Sequence, residues 1–587
     1  MIRSLIEIGR AVSDMYPMPL VELPYPEKKR KKAPKVLVVE LNTSGEGLSL
    51  SGFNLFDYLP EENLKKYYFR NPPSSKGPAS SLSFKLSEKL SALKERLGIL
   101  GILNYKADTN EIARAIEKEV NRLNQEGLLE KNAQVLIVLK IDGKWPAENE
   151  RLRENFVKNF LKSLASYEKN PIWKTYGLCH ECGKETIIYG GVGNLLKFYT
   201  VDKHGYAPEL NPRIAWKQYA LCEECIFDLE RGKRAVEDFL TWKFYGKNFW
   251  LLPVSTGALR KIIERFKSFH AEVSGKAHKE GYEYIEDRIL YEASIQDEAL
   301  FYHFVFLKPE NQALRIKLHV EEVLPSSLKE YVNAKKELEN KFNSFVNEAF
   351  EANKFSFNFF SSKNLKSTKQ KPGFTDEDFY MLVDRVFRHS PIDERYLISK
   401  AMSRISKDMA EAKEDLWKVK SILKNTVLET LLSLEFLLKW GILKRKIGGI
   451  NMSGLPYEEF FATHGDFFNH PAKRGLVLLG VLVQRFLNEQ YKRRQSTPFL
   501  KVLKNLRLDQ KDVQKIYVAL QNKMNEYEIG HWWSQLREGA SIYFIKAGDK
   551  WQLSPDEIGF YIAIGMALHS HPIFGGNKSE GEKSENE

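Results

Sequence analysis

Four cysteines in 587 residues fall into two Cys-x-x-Cys pairs, Cys179-His180-Glu181-Cys182 and Cys222-Glu223-Glu224-Cys225. No other feature constrains the fold as much. Each pair lets two thiolates converge on one point from a tight turn, and Gly183 follows the first pair, as such a knuckle prefers. Four soft sulfur ligands in a tetrahedron are what a structural Zn²⁺ takes, with no coordination position left for water. The 39 residues between the pairs have room for an inserted hairpin. A thioredoxin-like redox pair, or free thiols, would be the rival use; the confinement of every cysteine to these two units favours zinc. Four cysteines are also too few for a disulfide scaffold in a chain of this size. The ion's binding energy, on the order of 10 kcal/mol, would then be folding energy for the block around it.

A chain of this length exceeds what one hydrophobic core fills, so several domains are expected. Lys35 to Leu41 (KVLVVEL) and Gln134 to Ile141 (QVLIVLKI) are β-branched runs that predict buried strands. Between them Leu86, Leu90, Leu93 and Leu97, and then Ile112, Ile116 and Leu123, recur at helical spacing. Further on, Leu300 to Leu307 and Ala313 to Val320 predict a hairpin joined by KPENQ. Ser361 to Pro372 has four lysines and no acid, the composition of a linker. Beyond it, the spacing of Leu416, Val419, Leu423, Val427, Leu431, Leu434 and Leu438 predicts a long bundle helix. Thr375 and Ser554 stand three residues before Asp378 and Glu557 as N-cap candidates, Ser554 with Pro555 at the first helical position.

The expected fold class is α+β. A mixed α/β N-terminal region (1–170) carries an inserted four-cysteine zinc ribbon (171–253) and continues through a β-hairpin (254–360). A basic linker (361–374) leads to an all-α C-terminal bundle (375–573) and a disordered tail (574–587).

The net charge of +12 favours an anionic partner, nucleic acid first. The richest segment, Gln484 to Arg507, holds Arg485, Lys492, Arg493, Arg494, Lys501, Lys504 and Arg507 against Glu489, a net +6 over 24 residues. Arg485 and Lys492 are two helical turns apart, on a side away from Leu479, Leu482, Val483 and Phe486, where they could track phosphates. The plainer reading is an exposed helix with Arg485 paired to Glu489. The loop FRNPPSSKGP, with Arg70, Asn71 and Lys76, is a second candidate that could enter a groove; a mobile surface loop is its rival. The run EKKRKKAPK from Glu27 to Lys35 reads as a solvated linker or a phosphate-contacting arm.

No phosphate loop GxxxxGK[ST], HExxH motif or His-Asp dipeptide occurs, and His464-Gly465-Asp466 reads as a polar loop. The apolar run Gly475 to Val483 is nine residues, short of the roughly 20 a membrane span needs. With no secretory pattern at MIRSLIEIGRAVSDMYPMPL, a cytoplasmic protein is expected.

CHECGKETIIYG, KFYTVDKHGYAPELNPRIAWKQYALCEEC and ERGKRAVEDFLTWKFYG resemble the large subunit of the type I-B CRISPR interference complex (Cascade), the Cas-eight-b family. KVLVVELN, YYFRNPPSSKGP, FLNEQYKRRQSTPFLKVLKNLRLDQKD and SPDEIGFYIAIGM are similar to it as well. The resemblance implies a non-catalytic subunit that touches the guide RNA's 5′ handle and recognises the protospacer-adjacent motif in duplex DNA. It further implies a subunit that helps open the duplex and recruits a helicase-nuclease. The partners would be guide RNA, target DNA with its displaced strand, and the backbone, guide-processing and small subunits. Guide pairing would supply most of the sequence specificity. The C-terminal bundle resembles the small subunit, which the family also makes from an internal start; Met452, Met402 and Met409 are candidates. The competing reading is a zinc-stabilised nuclease or other enzymatic subunit of a related defence complex, which needs a carboxylate or histidine cluster for its metal.

Overall fold

The computed structural model of the chain describes residues 1–24, 34–45, 47–71, 77–86, 90–129, 134–164, 174–198, 209, 211, 214, 217–276, 282–295, 300–310, 313–345, 357, 373–444, 452–463 and 467–575. The run from Glu27 to Ala33, Lys76, the linker 361–372, His464-Gly465-Asp466 and the tail from 576 onward therefore lie outside the described residues. The chain forms two compact units. One comprises Met1–Thr241, Trp250–Ser268 and Lys308–Ile316; the other comprises Trp242–Phe249, Phe269–Leu307 and Lys317–Glu587.

In the first unit, α1 (Ile2–Ala11) precedes β1 (Lys35–Ser44) and β2 (Gly47–Asp57). β3 (Ser83–Lys85), α2 (Leu90–Leu97), α3 (Thr109–Gln125), β4 (Val135–Ile141) and α4 (Glu150–Leu164) follow. The sheet order is β2-β1-β4-β3. β1 and β4, the two β-branched runs, pair in parallel from Lys35↔Val135 to Leu41↔Ile141. A parallel pair needs a long crossover, and α2 and α3 provide it, burying Leu93, Leu97, Ile112, Ile116 and Leu123. Asp108 caps α3 by accepting from the amides of Asn110 and Glu111. β2 escapes the sequence reading because it is an edge strand with no fully buried residue and with Gly52 inside it.

The cysteine block adds β5 (Lys174–Leu178), β6 (Glu185–Tyr189) and β7 (Leu221–Cys222), in that sheet order, and α5 (Glu223–Phe239) directly after β7. α1 lies on α5 at unusually close range. A Cβ on Gly9 would stand 1.8 Å from the Asp228 carbonyl oxygen, and one on Gly232 1.7 Å from that of Leu5. Only glycine permits this crossing.

The second sheet, in the order β11-β10-β9-β8, is built from β8 (Thr241–Phe244), β9 (Lys247–Ser255), β10 (Leu300–Glu310) and β11 (Ala313–Val323). β10 and β11 are the expected hairpin, with Lys308–Glu310 drawn into the strand. Residues 269–307 and 317–345 fall in the second unit and do not continue the N-terminal region. The reason is aromatic packing: Phe249 stacks on Phe306 at 5.3 Å, and Phe304 meets Phe387 edge-on at 5.0 Å. Phe387 belongs to α7 (Asp376–Phe387), which follows α6 (Pro325–Phe345).

α7 starts with the expected box: Thr375 Oγ1 accepts from the Asp378 amide at 3.2 Å while Asp378 accepts from the Thr375 amide at 2.8 Å. α8 (Glu394–Ala412) is followed by α9 (Leu416–Ile422), a π-helical turn (Leu423–Val427) and α10 (Leu428–Lys439), which together carry the long leucine pattern. α11 (Pro471–Arg494), α12 (Gln510–Glu526), α13 (Ser534–Ala547) and α14 (Pro555–Ala567) complete the bundle. Ser554 caps α14 reciprocally with Glu557 at 3.2 and 2.7 Å. The expected tail begins too early: Phe574 is 3 % exposed and packs on Phe460 at 4.9 Å. Among the described residues no helix is long and apolar enough to cross a membrane.

Candidate metal centre and nucleic-acid surface

The first knuckle turns where the backbone leaves β5. The Cys179 amide donates to the Lys184 carbonyl at 2.9 Å, and the Gly183 amide returns to the Cys179 carbonyl at 2.9 Å. Gly183 has φ 72°, a left-handed conformation that costs L side chains energy, which explains the residue there. The second knuckle is the junction of β7 and α5. Cys222 is the N-cap of α5, where the Cys225 amide and the helix dipole favour a thiolate, and Cys225 sits in the first turn. Two bonds fix one knuckle against the other: Ala220 donates its amide to His180 Nδ1 at 2.8 Å, and Cys222 donates its amide to Cys179 Sγ at 3.3 Å. His180 is thus a spacer, not a fifth ligand.

The four sulfur atoms lie within 4.8 Å of one another. Cys182 Sγ and Cys222 Sγ are 3.7 Å apart, close to the edge of about 3.8 Å that a tetrahedron with Zn–S bonds near 2.3 Å requires. Cys179, Cys222 and Cys225 are buried and Cys182 is exposed. Burial pushes the Cys222 thiol up to about 11 and the Cys225 thiol higher still. For Cys179 burial acts the same way, but the amides of Cys182, Cys222 and Glu181 outweigh it and bring the thiol down to about 7. Three thiols this close cannot all ionise without a cation among them, whereas a soft divalent ion would hold all four as thiolates. Arg10 of α1 donates to Cys225 Sγ at 3.4 Å and to Asp228 at 3.2 Å, so the Gly9–Gly232 crossing brings a positive charge to the centre. The chemistry of the donor set therefore fits a closed, four-sulfur metal site.

The expected nucleic-acid residues separate into groups. Arg485 is a correction. It is 3 % exposed, donates to the carbonyls of His569 (3.1 Å) and Gly575, and lies over the Trp533 ring at 5.9 Å. Nor does it pair with Glu489, which binds Arg493 at 2.6 Å. The cause is that α11 is buried on every side from Pro471 to Leu487, so it has no solvent face at that depth. Past this buried stretch Lys492, Arg493, Arg494, Lys501, Lys504 and Arg507 are all exposed. Lys501 pairs with Glu414 at 2.7 Å and Lys504 with Asp512 at 2.5 Å. Arg494 stacks over Tyr527 at 5.1 Å. Exposed ion pairs are worth about 0–1 kcal/mol, so phosphate could displace them.

A cleft of about 450 Å³ lies beside these cations, lined by Met409, Leu500, Leu503 and Leu506 with Lys413, Lys501, Asn505 and the acid Glu414. Its wall is strained: Lys504, Asn505 and Leu506 have φ of 44°, 55° and 65°, three consecutive non-glycine residues in left-handed backbone. Such strain gathers at functional sites. The residue types do not announce it, since among the three only asparagine favours this conformation.

Arg70 is also turned inward, and Asn71, although exposed, is engaged within the protein. Arg70 is half-buried over the Phe156 ring at 5.8 Å, and Asn71 donates to the Glu22 carboxylate. Ser80 Oγ holds the Asn71 carbonyl at 3.1 Å and Ser81 Oγ that of Tyr68 at 2.5 Å, so the described flanks of this loop are pinned and not mobile. Lys76 lies outside the described residues.

No curated protein matches the chain. Three family models do match, in order along it. Residues 1–162 match the N-terminal domain of CRISPR-associated protein TM1802, residues 176–323 its central domain and residues 356–580 its C-terminal domain. The central match opens at the cysteine ribbon, and the last spans the cationic bundle. Together they account for most of the sequence, and the chain belongs to the CRISPR-associated protein TM1802 family.

Proposed function

We propose that this chain is the non-catalytic large subunit of a guide-RNA-directed antiviral complex of the type I-B Cascade kind. It binds the guide 5′ handle and the protospacer-adjacent duplex, assists duplex opening and recruits a separate helicase-nuclease. The observation that carries the reading is the ordered succession of three domains of one CRISPR-associated family. The four-cysteine centre supports it as a Zn²⁺ site with every position taken by sulfur, which stabilises a fold and offers no place for a substrate. The exposed cations from Lys492 to Arg507, beside a strained cleft, support contact with phosphates of the displaced strand. Guide pairing then reads the target while this chain handles the flanking duplex.

The test is reconstitution with guide RNA and the backbone, guide-processing and small subunits. Matched duplex DNA should be bound with an affinity that falls steeply with salt, and left uncut until the helicase-nuclease is added. EDTA-sensitive cleavage without that partner would overturn the reading in favour of an enzymatic subunit.

A further inference from the structure

Among the described residues one further group of metal-ligating side chains stands close enough to share an ion. His303 lies on β10, and His319 and Glu321 lie on β11; their donor atoms are all within 4.8 Å of one another. His319 and Glu321 are two residues apart on a strand and so share a face. His303 meets them from the neighbouring strand, its ring centroid 5.2 Å from that of His319. Two features mark this as more than core packing. His303 is 9 % exposed, yet its Nδ1 is buried without a hydrogen-bond partner, and the buried Nε2 of His319 is likewise unpartnered. Orphaned buried nitrogens are rare in folded proteins and call for a partner that the protein atoms do not supply. The other nitrogen of His319 faces Glu321 Oε1 at 3.4 Å, so a carboxylate completes the set.

We propose that His303, His319 and Glu321 bind one divalent first-row transition ion of the Zn²⁺, Co²⁺ or Ni²⁺ class, with its remaining positions open to water. Imidazole with one carboxylate suits these ions, whereas Ca²⁺ and Mg²⁺ take oxygen ligands. Donors about 2.1 Å from a tetrahedral ion stand about 3.4 Å apart, and the Glu321 side chain, 53 % exposed, is free to close the difference. Arg388 donates to the His319 carbonyl at 2.8 Å and its charge is felt there, tempered by its own pairing with Asp384 at 2.6 Å. Unlike the four-sulfur centre, this one keeps open positions.

Cobalt titration of the full-length metal-free protein tests the assignment independently of any DNA assay. Two equivalents should bind, one with sulfur-to-cobalt charge-transfer bands in the near ultraviolet and one without. Glu321→Gln, at an exposed position, should weaken the second equivalent at least tenfold and leave the sulfur bands unchanged, and Glu321→Gln with His319→Ala should abolish it. Circular dichroism and melting of the metal-free variants confirm the fold. A wild-type stoichiometry of one, or a second equivalent undiminished in the folded double variant, overturns the proposal.

Discussion

Cys179 and Cys225 differ by a large margin in how readily they ionise, although both serve the same centre, because amides converge on one and burial dominates the other. Removing either should release the ion all the same. For Cys179→Ser, mass spectrometry should find the tightly held metal gone and the melting temperature lowered; unchanged metal content would refute the assignment. Arg485 gives the opposite kind of prediction. Arg485→Ala strips the His569 and Gly575 carbonyls of their donor and should cost about 2–4 kcal/mol of stability while leaving the salt slope of DNA binding unaltered. Lys492→Ala with Arg494→Ala should do the reverse, holding stability within about 0.5 kcal/mol and lowering the slope by about 0.7–0.9 for each phosphate no longer neutralised. His569 supplies a pH signature. Burial pushes its imidazole down to about 4, against about 6.5 in an unfolded chain. The unfolded state thus binds the proton first, so stability is complete above about pH 6.5 and falls as the pH drops toward 4, by on the order of 3 kcal/mol. Urea titrations of wild type and His569→Gln should diverge in that window; parallel curves would refute the assignment. The cysteines could be recognised from spacing alone because metal chemistry fixes residue type and separation together. Arg485 could not, because a charge in a helix is assigned to solvent unless its neighbours in space are known.

Helices here meet through glycine as much as through large side chains. α1 crosses α5 at Gly9 and Gly232, and α11 crosses α14 where a Cβ on Gly480 would stand 2.1 Å from the Ile562 carbonyl oxygen. Gly9→Ala should force the first pair apart, costing about 1–3 kcal/mol and withdrawing Arg10 from Cys225. Slower metal uptake together with a lower melting temperature would bear this out, and a wild-type melt would argue against the close crossing. Elements with strong local signals, such as β1, β4, the hairpin and the capped α7 and α14, were expected from sequence, since alternation, branching and capping act over a few residues. β2 was not, because an exposed edge strand buries too little to impose a pattern. The π-helical turn at Leu423–Val427 lies inside an unbroken leucine periodicity, which predicts a continuous helix and does not register one extra residue.

Across the whole chain, metal removal separates the two units. Four sulfur ligands lie in the first unit and none in the second, so Cys179→Ser with Cys222→Ser, which leaves His303, His319 and Glu321 in place, should abolish or lower the melting transition of the first, by an apparent free energy on the order of 10 kcal/mol. The transition carried by the C-terminal helices should persist; joint loss of both would show that the centre supports the entire molecule. The family resemblance, the α+β class, the cysteine set and the basic character of the segment after Gln484 were already determined by the order of residues, because each rests on local spacing or on composition. Which cations reach solvent, which glycines touch a neighbouring backbone, and where His303 meets His319 were decided only on folding. Those facts depend on segments distant in the chain becoming adjacent, and burial, not residue type, then sets what a charged or ligating side chain is able to do.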